Sequence, residues 1–364
     1  MTWRVGILGA TGAVGQKMIQ GLAGHPWFRI AGVAASERSS GRKYRDAARW
    51  MQQSSIPDGV ADFEVKAATP DLDCDFVLSA LDSSVAGPIE EDFARAGYPV
   101  ISNSRNHRMD EDVPLVIPEI NPDHLDLIQW QKERRGFTGG CLVTNPNCST
   151  VGLAMALKPL EDAFGVAEVF VVTMQALSGA GYPGVASLDA MENVIPFISG
   201  EEEKMQTEPR KILGRLAQNA IQFAEFKISA QCNRVPVIDG HLESVSVKLK
   251  KRASAADVSE ALSSFTGEPQ KLGLPTAPAH PILVSSEADR PQPRRDRDAG
   301  RGMSVSVGRI RPCDLLDFKF TVLVHNTVRG AAGAAILNAE LLADRGLLPH
   351  RDQVSAEVAA RKHV

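Results

Sequence analysis

The stretch that most constrains this chain is its beginning. Residues 3–8 (W-R-V-G-I-L) read as a strand that runs directly into G-A-T-G-A-V-G, Gly9 to Gly15, and then into a helical pattern over 13–24. Glycines in such a loop let the chain turn and let the backbone approach a pyrophosphate, and the helix start offers unpaired N–H groups. Gly9, Thr11, Gly12, Ala13, Val14 and Gly15 are therefore the candidate nucleotide contacts. The spacing is G-x-x-G-x-x-G, a variant of the common G-x-G-x-x-G.

The pattern continues as alternation. Further strands are expected at 29–35, 75–81 and 99–102, with a helix across Ile89–Ala96. Alternating strands and helices build a parallel sheet wrapped by helices. The expected first domain is a Rossmann-type unit of residues 1–147, to which a helix over about 327–350 returns through its A-A-G-A-A face. The strand at 29–35 ends in A-A-S-E-R-S-S-G-R-K. An acidic residue there usually holds a ribose 2′-hydroxyl, whereas Arg suits a 2′-phosphate. Ser36, Arg38 and Ser39 can hydrogen-bond a phosphate, with Arg42 and Lys43 nearby, while Glu37 could serve a ribose instead. The balance favours NADP over NAD.

After residue 148 the pattern changes. A helix to about Phe164 precedes a strand, Ala167–Ala176, and the loop S-G-A-G-Y-P-G. Helical sequence runs from about Glu201 to Ala220, and strands follow at 227–237, 242–250, 303–310 and 317–325. These imply an α+β second domain with a mixed sheet, residues 148–326. Segment 290–301 reads as a long loop and 351–364 as an exposed charged end. With 364 residues, 43% of them hydrophobic, there is ample material for two cores. A net charge of −4 argues against nucleic-acid or acidic-membrane binding, and no apolar run approaches the length of a membrane span. The five cysteines, 74, 141, 148, 232 and 313, lack C-x-x-C spacing and read as neither a zinc site nor a disulfide framework. A reducing cytoplasm is the expected compartment.

Cys148 carries the chemistry. It stands in T-N-P-N-C-S-T-V-G-L-A, where a turn leads into a helix-forming run. A thiol at a helix N-terminus is poised as thiolate by the helix dipole. A nucleophilic thiol calls for an imidazole. His241, in N-R-V-P-V-I-D-G-H, follows a strand and a tight turn, whereas the other seven histidines have less structured contexts. Arg234, read as sharing that strand, suits bidentate binding of a carboxylate.

Taken together, these residues resemble the aspartate-semialdehyde dehydrogenase family, in the branch typical of archaea and fungi. The resemblance covers roughly residues 3–345. It rests on the ordered occurrence of G-A-T-G-A-V-G, T-N-P-N-C-S-T, M-Q-A-L-S-G-A-G-Y-P-G, E-E-E-K-M-Q-T-E-P-R-K-I-L-G, N-R-V-P-V-I-D-G-H and R-P-Q-P-R-R-D-R-D-A-G. It implies Cys148 as nucleophile, His241 as general acid/base and Gln175 as the residue that orients the acyl group. It further implies Arg234 on the substrate α-carboxylate, Arg108 and Lys204 on the leaving phosphate, Glu201 on the amine and Asn147 beside the substrate. Ser178, Gly179 and Asn326 match positions lining the nicotinamide.

The implied reaction is NADPH-dependent reduction of L-aspartyl 4-phosphate to L-aspartate 4-semialdehyde and inorganic phosphate, through a Cys148 thioester that accepts hydride. Backbone N–H groups at the helix start would stabilise the oxyanion. No metal is required. Homodimers or homotetramers built through the second domain are implied as well. The rival readings are an acyl-CoA reductase, such as a malonyl-CoA reductase, on the same scaffold, a related N-acetylglutamyl-phosphate reductase, and a non-catalytic NADP-binding regulator.

Overall fold

The computed structural model describes residues 2–349, which form two compact units. The first takes in the chain up to Pro114, His124–Asn145 and the segment from Ala335; the second takes in Leu115–Asp123 and Pro146–Ala334. The units thus divide at 145/146 and 334/335 rather than at the expected 147/148 and 326/327, and 115–123 joins the second unit. The tail read at 351–364 lies outside the described residues. Among the described residues, no helix is long and apolar enough to cross a membrane.

The first unit holds strands β1 (Trp3–Leu8), β2 (Phe28–Ala35), β3 (Lys66–Ala67), β4 (Phe76–Ser79), β5 (Pro99–Ser102) and β6 (Cys141–Thr144). They form one parallel sheet in the order β3-β2-β1-β4-β5-β6. This is the doubly wound order, which opens a ligand crevice beyond the strand ends where the winding reverses. Every residue of β4, β5 and β6 is buried, as a sheet covered on both faces requires. β3 and β6 escaped the sequence reading; at two residues β3 is too short to show a period. Helix Gly333–Asp344 passes into this unit at Ala335, and Ile336 packs against Gly21 of helix Ala13–Leu22. The regular helix starts later than expected because a π-helical turn, Val328–Ala332, precedes it.

In the second unit, β7 (Val166–Gln175) is followed by a short hairpin, β8 (Arg215–Ala217) and β9 (Ala220–Gln222). Strands β10 (Lys227–Arg234), β11 (His241–Leu249), β12 (Ile282–Ser285), β13 (Val305–Pro312) and β14 (Phe318–Val324) complete it. The six-stranded sheet is mixed, in the order β10-β7-β11-β14-β13-β12. Burial alternates along β7 and β11, so one face joins the core. There Val169, Val171, Val245, Val247 and Phe320 cluster with Val151, Leu153 and Met155 of helix Cys148–Phe164.

Two expectations need correction. The helix read over 201–220 ends at Ile212 and gives way to the β8–β9 hairpin. Gly214 allows this, since a Cβ there would lie 2.5 Å from the Gln222 carbonyl oxygen. Arg234 and His241 do not share a strand. Arg234 ends β10 and His241 begins β11, with β7 running between the two strands.

Candidate active site

The register of the second sheet assembles the site. Gln175 at the end of β7 pairs with Arg234 at the end of β10. On its other side β7 is antiparallel to β11, with Met174 opposite Leu242, so His241 falls beside Gln175. Side chains two apart share a face. One row across the sheet therefore reads Arg234, Gln175, His241, and all three are buried.

Cys148 is the first residue of its helix, with Asn147 as the cap. Asn147 Oδ1 accepts from the amides of Ser149 (3.0 Å) and Thr150 (3.3 Å). Such a cap contributes about 1 kcal/mol to a helix. It also consumes two of the amides expected to serve an oxyanion, which narrows that role to the amide of Cys148 itself. The other end of the Asn147 side chain donates to Glu201 at 2.9 and 3.1 Å, and its backbone N–H donates to Glu208 at 2.7 Å. Asn147 thus holds the helix start at Cys148 from within the fold.

Cys148 Sγ lies 3.1 Å from His241 Nε2. The opposite nitrogen, Nδ1, accepts the Ala176 N–H at 3.0 Å. A nitrogen that accepts cannot carry a proton, so the neutral ring holds its proton on Nε2, facing sulfur. Burial pushes the His241 pKa down to about 3, with the nearby Arg234 guanidinium adding to the shift and Glu201 opposing it. The resting imidazole is therefore a neutral donor aimed at the thiol.

Around this pair the polar groups interlock. Glu201, first residue of helix Glu201–Ile212, accepts from Lys204 Nζ at 2.6 Å and from Gln175 Nε2 at 3.2 Å. Burial works against its charge, but the Lys204 ammonium and these hydrogen bonds outweigh it and hold its pKa below the usual value. Arg234 Nη1 donates to the Ala176 carbonyl at 2.7 Å. A Cβ on Gly179 would stand 2.9 Å from Arg234 Nη1 and 3.2 Å from His241 Nε2, so that loop lies directly on the site. Asn326 links two of its parts, donating to Ser178 Oγ at 2.7 Å and accepting from Gly240 N–H at 2.9 Å. The segment read as a long loop braces the same turn: Arg297 donates to the Asp239 carbonyl at 3.2 Å.

The first unit carries the remaining candidates. Gly9 has φ +73°, and a Cβ there would lie 2.5 Å from the Ala80 carbonyl oxygen; at Gly15 a Cβ would lie 2.4 Å from the Gly9 carbonyl oxygen. Both approaches demand glycine, and Gly12 caps the helix that starts at Ala13. Thr11 and Val14 lie in the same loop and helix start. Ser36 and Arg38 are exposed in the turn after β2, and Ser39 closes that turn on the Ser36 carbonyl at 2.9 Å. Lys43 is engaged with Asp62 at 3.1 Å. Arg108 is buried and donates to the Asn103 carbonyl at 2.7 Å.

Several contributors were not foreseen. The Ala176 amide sets the His241 tautomer, and no side-chain motif reports it. Glu208 was readable, because it stands seven residues after Glu201 on the same helical face. Gly330, in the π-helical turn, packs on Cys148, and a Cβ there would fall 2.6 Å from Cys148 Cβ. Its neighbour Arg329 is fully buried and pairs with Glu119 at 2.7 Å.

A doubly wound nucleotide-type sheet and a helix-capped thiol facing an imidazole define a nucleotide-dependent cysteine dehydrogenase. Residues 4–128 match the family model "Semialdehyde dehydrogenase, NAD binding domain", and 157–329 match "Semialdehyde dehydrogenase, dimerisation domain". Aspartate-semialdehyde dehydrogenase of Archaeoglobus fulgidus is 54% identical over 94% of this chain and 98% of its own. That of Schizosaccharomyces pombe is 50% identical over 95% and 99%. The crystal structure of the Candida albicans enzyme with NADP superposes with a TM-score of 0.88 at 44% identity, covering 95% of this chain and all of that one. The chain belongs to the aspartate-semialdehyde dehydrogenase family.

Proposed function

We propose that the second unit carries out acyl transfer on Cys148 in the family's reaction, the NADPH-dependent reductive dephosphorylation of L-aspartyl 4-phosphate to L-aspartate 4-semialdehyde. The observation that carries the reading is the 3.1 Å Cys148–His241 contact with the ring proton on the sulfur side. Cys148 attacks the acyl carbonyl as the thiolate favoured at a helix start, a C–S bond forms, the C–O bond to phosphate breaks, and phosphate leaves as the anion. The Cys148 amide steadies the oxyanion. His241, neutral and protonated on Nε2, offers a hydrogen bond first to the Cys148 thiolate and then to the oxygen that gains charge, and keeps its own proton. Gln175 orients the acyl group, Arg234 binds the α-carboxylate, and Glu201 receives the amine. Arg108 and Lys204 receive the departing phosphate. NADPH, when bound, supplies the hydride that reduces the thioester. The residues that would hold it are Gly9, Thr11, Gly12, Ala13, Val14 and Gly15 at the pyrophosphate, Ser36, Arg38 and Ser39 at the 2′-phosphate, and Ser178, Gly179 and Asn326 at the nicotinamide. The two glycine approaches and the exposed Arg38 fit that group.

A paired assay tests the substrate. Oxidation of aspartate semialdehyde with NADP⁺ is expected to depend on inorganic phosphate, and faster turnover with coenzyme A would transfer the reading to an acyl-CoA reductase. Cys148→Ser should cut turnover at least about 10³-fold while NADPH binding, followed by fluorescence, persists.

The protein acts as a homodimer or homotetramer. Phe170 is exposed on the sheet of the second unit, and Leu188, Met191, Val194 and Phe197 are exposed nearby in sequence. Apolar exposure of this kind marks an interaction surface, and a second copy is the occupant that the matched dimerisation-domain family favours. Sedimentation velocity showing only a monomer would overturn this.

A further inference from the structure

The loop that carries Arg108 is held by a second histidine. β4 and β5 end in Ser79 and Ser102, both fully buried, and both hydroxyls donate to Glu90 Oε1, at 2.6 and 2.7 Å. Glu90 belongs to helix Ala86–Arg95. Ser102 Oγ then accepts the Ser104 N–H at 2.9 Å, and Ser104 Oγ bonds Asn106 Oδ1. Asn106 in turn donates to the Ser83 carbonyl at 3.0 Å. His107 closes the loop. Its Nδ1 meets Asp110 Oδ2 at 2.9 Å and its Nε2 meets the Gly87 carbonyl, at the start of that same helix, at 3.2 Å.

Both partners of the ring are acceptors. A neutral imidazole has one N–H and can satisfy only one of them. Only the doubly protonated ring satisfies both, so this geometry favours the imidazolium. Burial opposes that charge, but the hydrogen bonds donated to Asp110 and Gly87, with the charges of Asp110 and Glu90, prevail and raise the His107 pKa. Asp110 is itself held by Arg135 Nη2 at 2.8 Å, and Arg135 grips Asp112 through two bonds of 2.6 Å. Arg108 follows directly in sequence and is tied to the Asn103 carbonyl.

We propose that His107 is the positioning residue for Arg108, an imidazolium that pins the arginine's loop between helix Ala86–Arg95 and Asp110. This rests on the reading of Arg108 as a ligand of the leaving phosphate. The role has a chemical logic: an arginine that must meet a phosphate in one geometry is tied down through a neighbour that never touches substrate.

The test is run in the phosphate-consuming direction, with aspartate semialdehyde and NADP⁺ saturating and inorganic phosphate varied. His107→Gln keeps a donor but loses the charge and the second bond. It should raise the phosphate KM roughly tenfold, with a change in kcat of under about threefold. Arg108→Lys should raise the same KM at least as much. The double variant should be no worse than Arg108→Lys alone, because residues acting through one contact are not additive. If Arg108→Lys raises the phosphate KM and His107→Gln does not, the positioning role is wrong and the arginine's role stands. If Arg108→Lys leaves that KM unchanged, the underlying reading fails and the proposal goes with it. Asp110→Asn is measured alongside in case His107→Gln does not fold. Equal losses of kcat, NADPH affinity and phosphate affinity in the folded variants would mean a general structural role and overturn the proposal.

Discussion

His241 and His107 are both buried, in different units, and the structure gives them opposite charge states. At His241 a backbone N–H points at Nδ1, burial and the Arg234 charge outweigh the opposing Glu201, and the ring is neutral. At His107 a carboxylate and a carbonyl face the two nitrogens, and the ring is a cation. Burial alone predicts two neutral rings. The contrast teaches that the polarity of the atoms facing the two nitrogens decides what an enclosed histidine can do. A neutral donor suits the reacting atoms, whereas a fixed cation suits a brace.

The comparison breaks first at the catalytic ring. His241→Gln should lower kcat by roughly 10²- to 10³-fold with NADPH affinity retained, as expected when the N–H aimed at the reacting atoms is displaced. His107→Gln should leave the chemical step largely intact, so single-turnover rates that fall equally in both variants would erase the distinction. A second, smaller effect sharpens the catalytic side alone. Gly330→Ala places a methyl group 2.6 Å from Cys148 Cβ, closer than real Cβ atoms approach, so the turn or Cys148 must shift. A loss of roughly 10²-fold in kcat is expected from a displacement of that order. Alkylation of Cys148 at the wild-type rate would show that the turn yields instead.

The smallest effect concerns stability and has opposite signs at the two rings. His107 has a raised folded pKa, so its stabilisation is fully present below about pH 6.5 and is lost as pH rises through the folded value. His241 has a folded pKa of about 3. The unfolded ring binds a proton that the folded one refuses, so between about pH 3 and 6.5 its burial costs stability, and that cost fades as pH rises. Melting temperatures between about pH 5 and 8 should therefore show the wild-type advantage over His107→Gln shrinking with pH and that over His241→Gln growing. Differences that move in the same direction would contradict the charge assignments.

Local signals were the legible ones. The strand–glycine loop–helix of residues 3–24 and the Asn-Pro-Asn turn before Cys148 involve neighbours a few residues apart, and the strand at 99–102 has the bounds read for it. Propensity also misled locally. Glu- and Lys-rich sequence continued the helix on paper beyond Ile212, where contact between Gly214 and β9 turns the chain into a hairpin instead. Arg234 and His241 looked like one strand because nothing between them announces that β7 passes through the gap.

By itself, then, the sequence singled out the candidates for chemistry: the thiol at a helix start, the glycine loop, the imidazole and the arginines. Side-chain type and short-range backbone preference suffice for that. Only the tertiary structure decided how those residues act. Cys148 and His241 are 93 positions apart and meet because β11 lies beside β7. The proton on His241 faces sulfur because an amide 65 positions away occupies its other nitrogen. His107, passed over in sequence as lacking a structured context, is a cation because Gly87 O and Asp110 converge on it. Proton position and charge are set by which atoms lie within about 3 Å, and in each ring at least one of those atoms, the Ala176 amide or the Gly87 carbonyl, arrives from elsewhere in the chain.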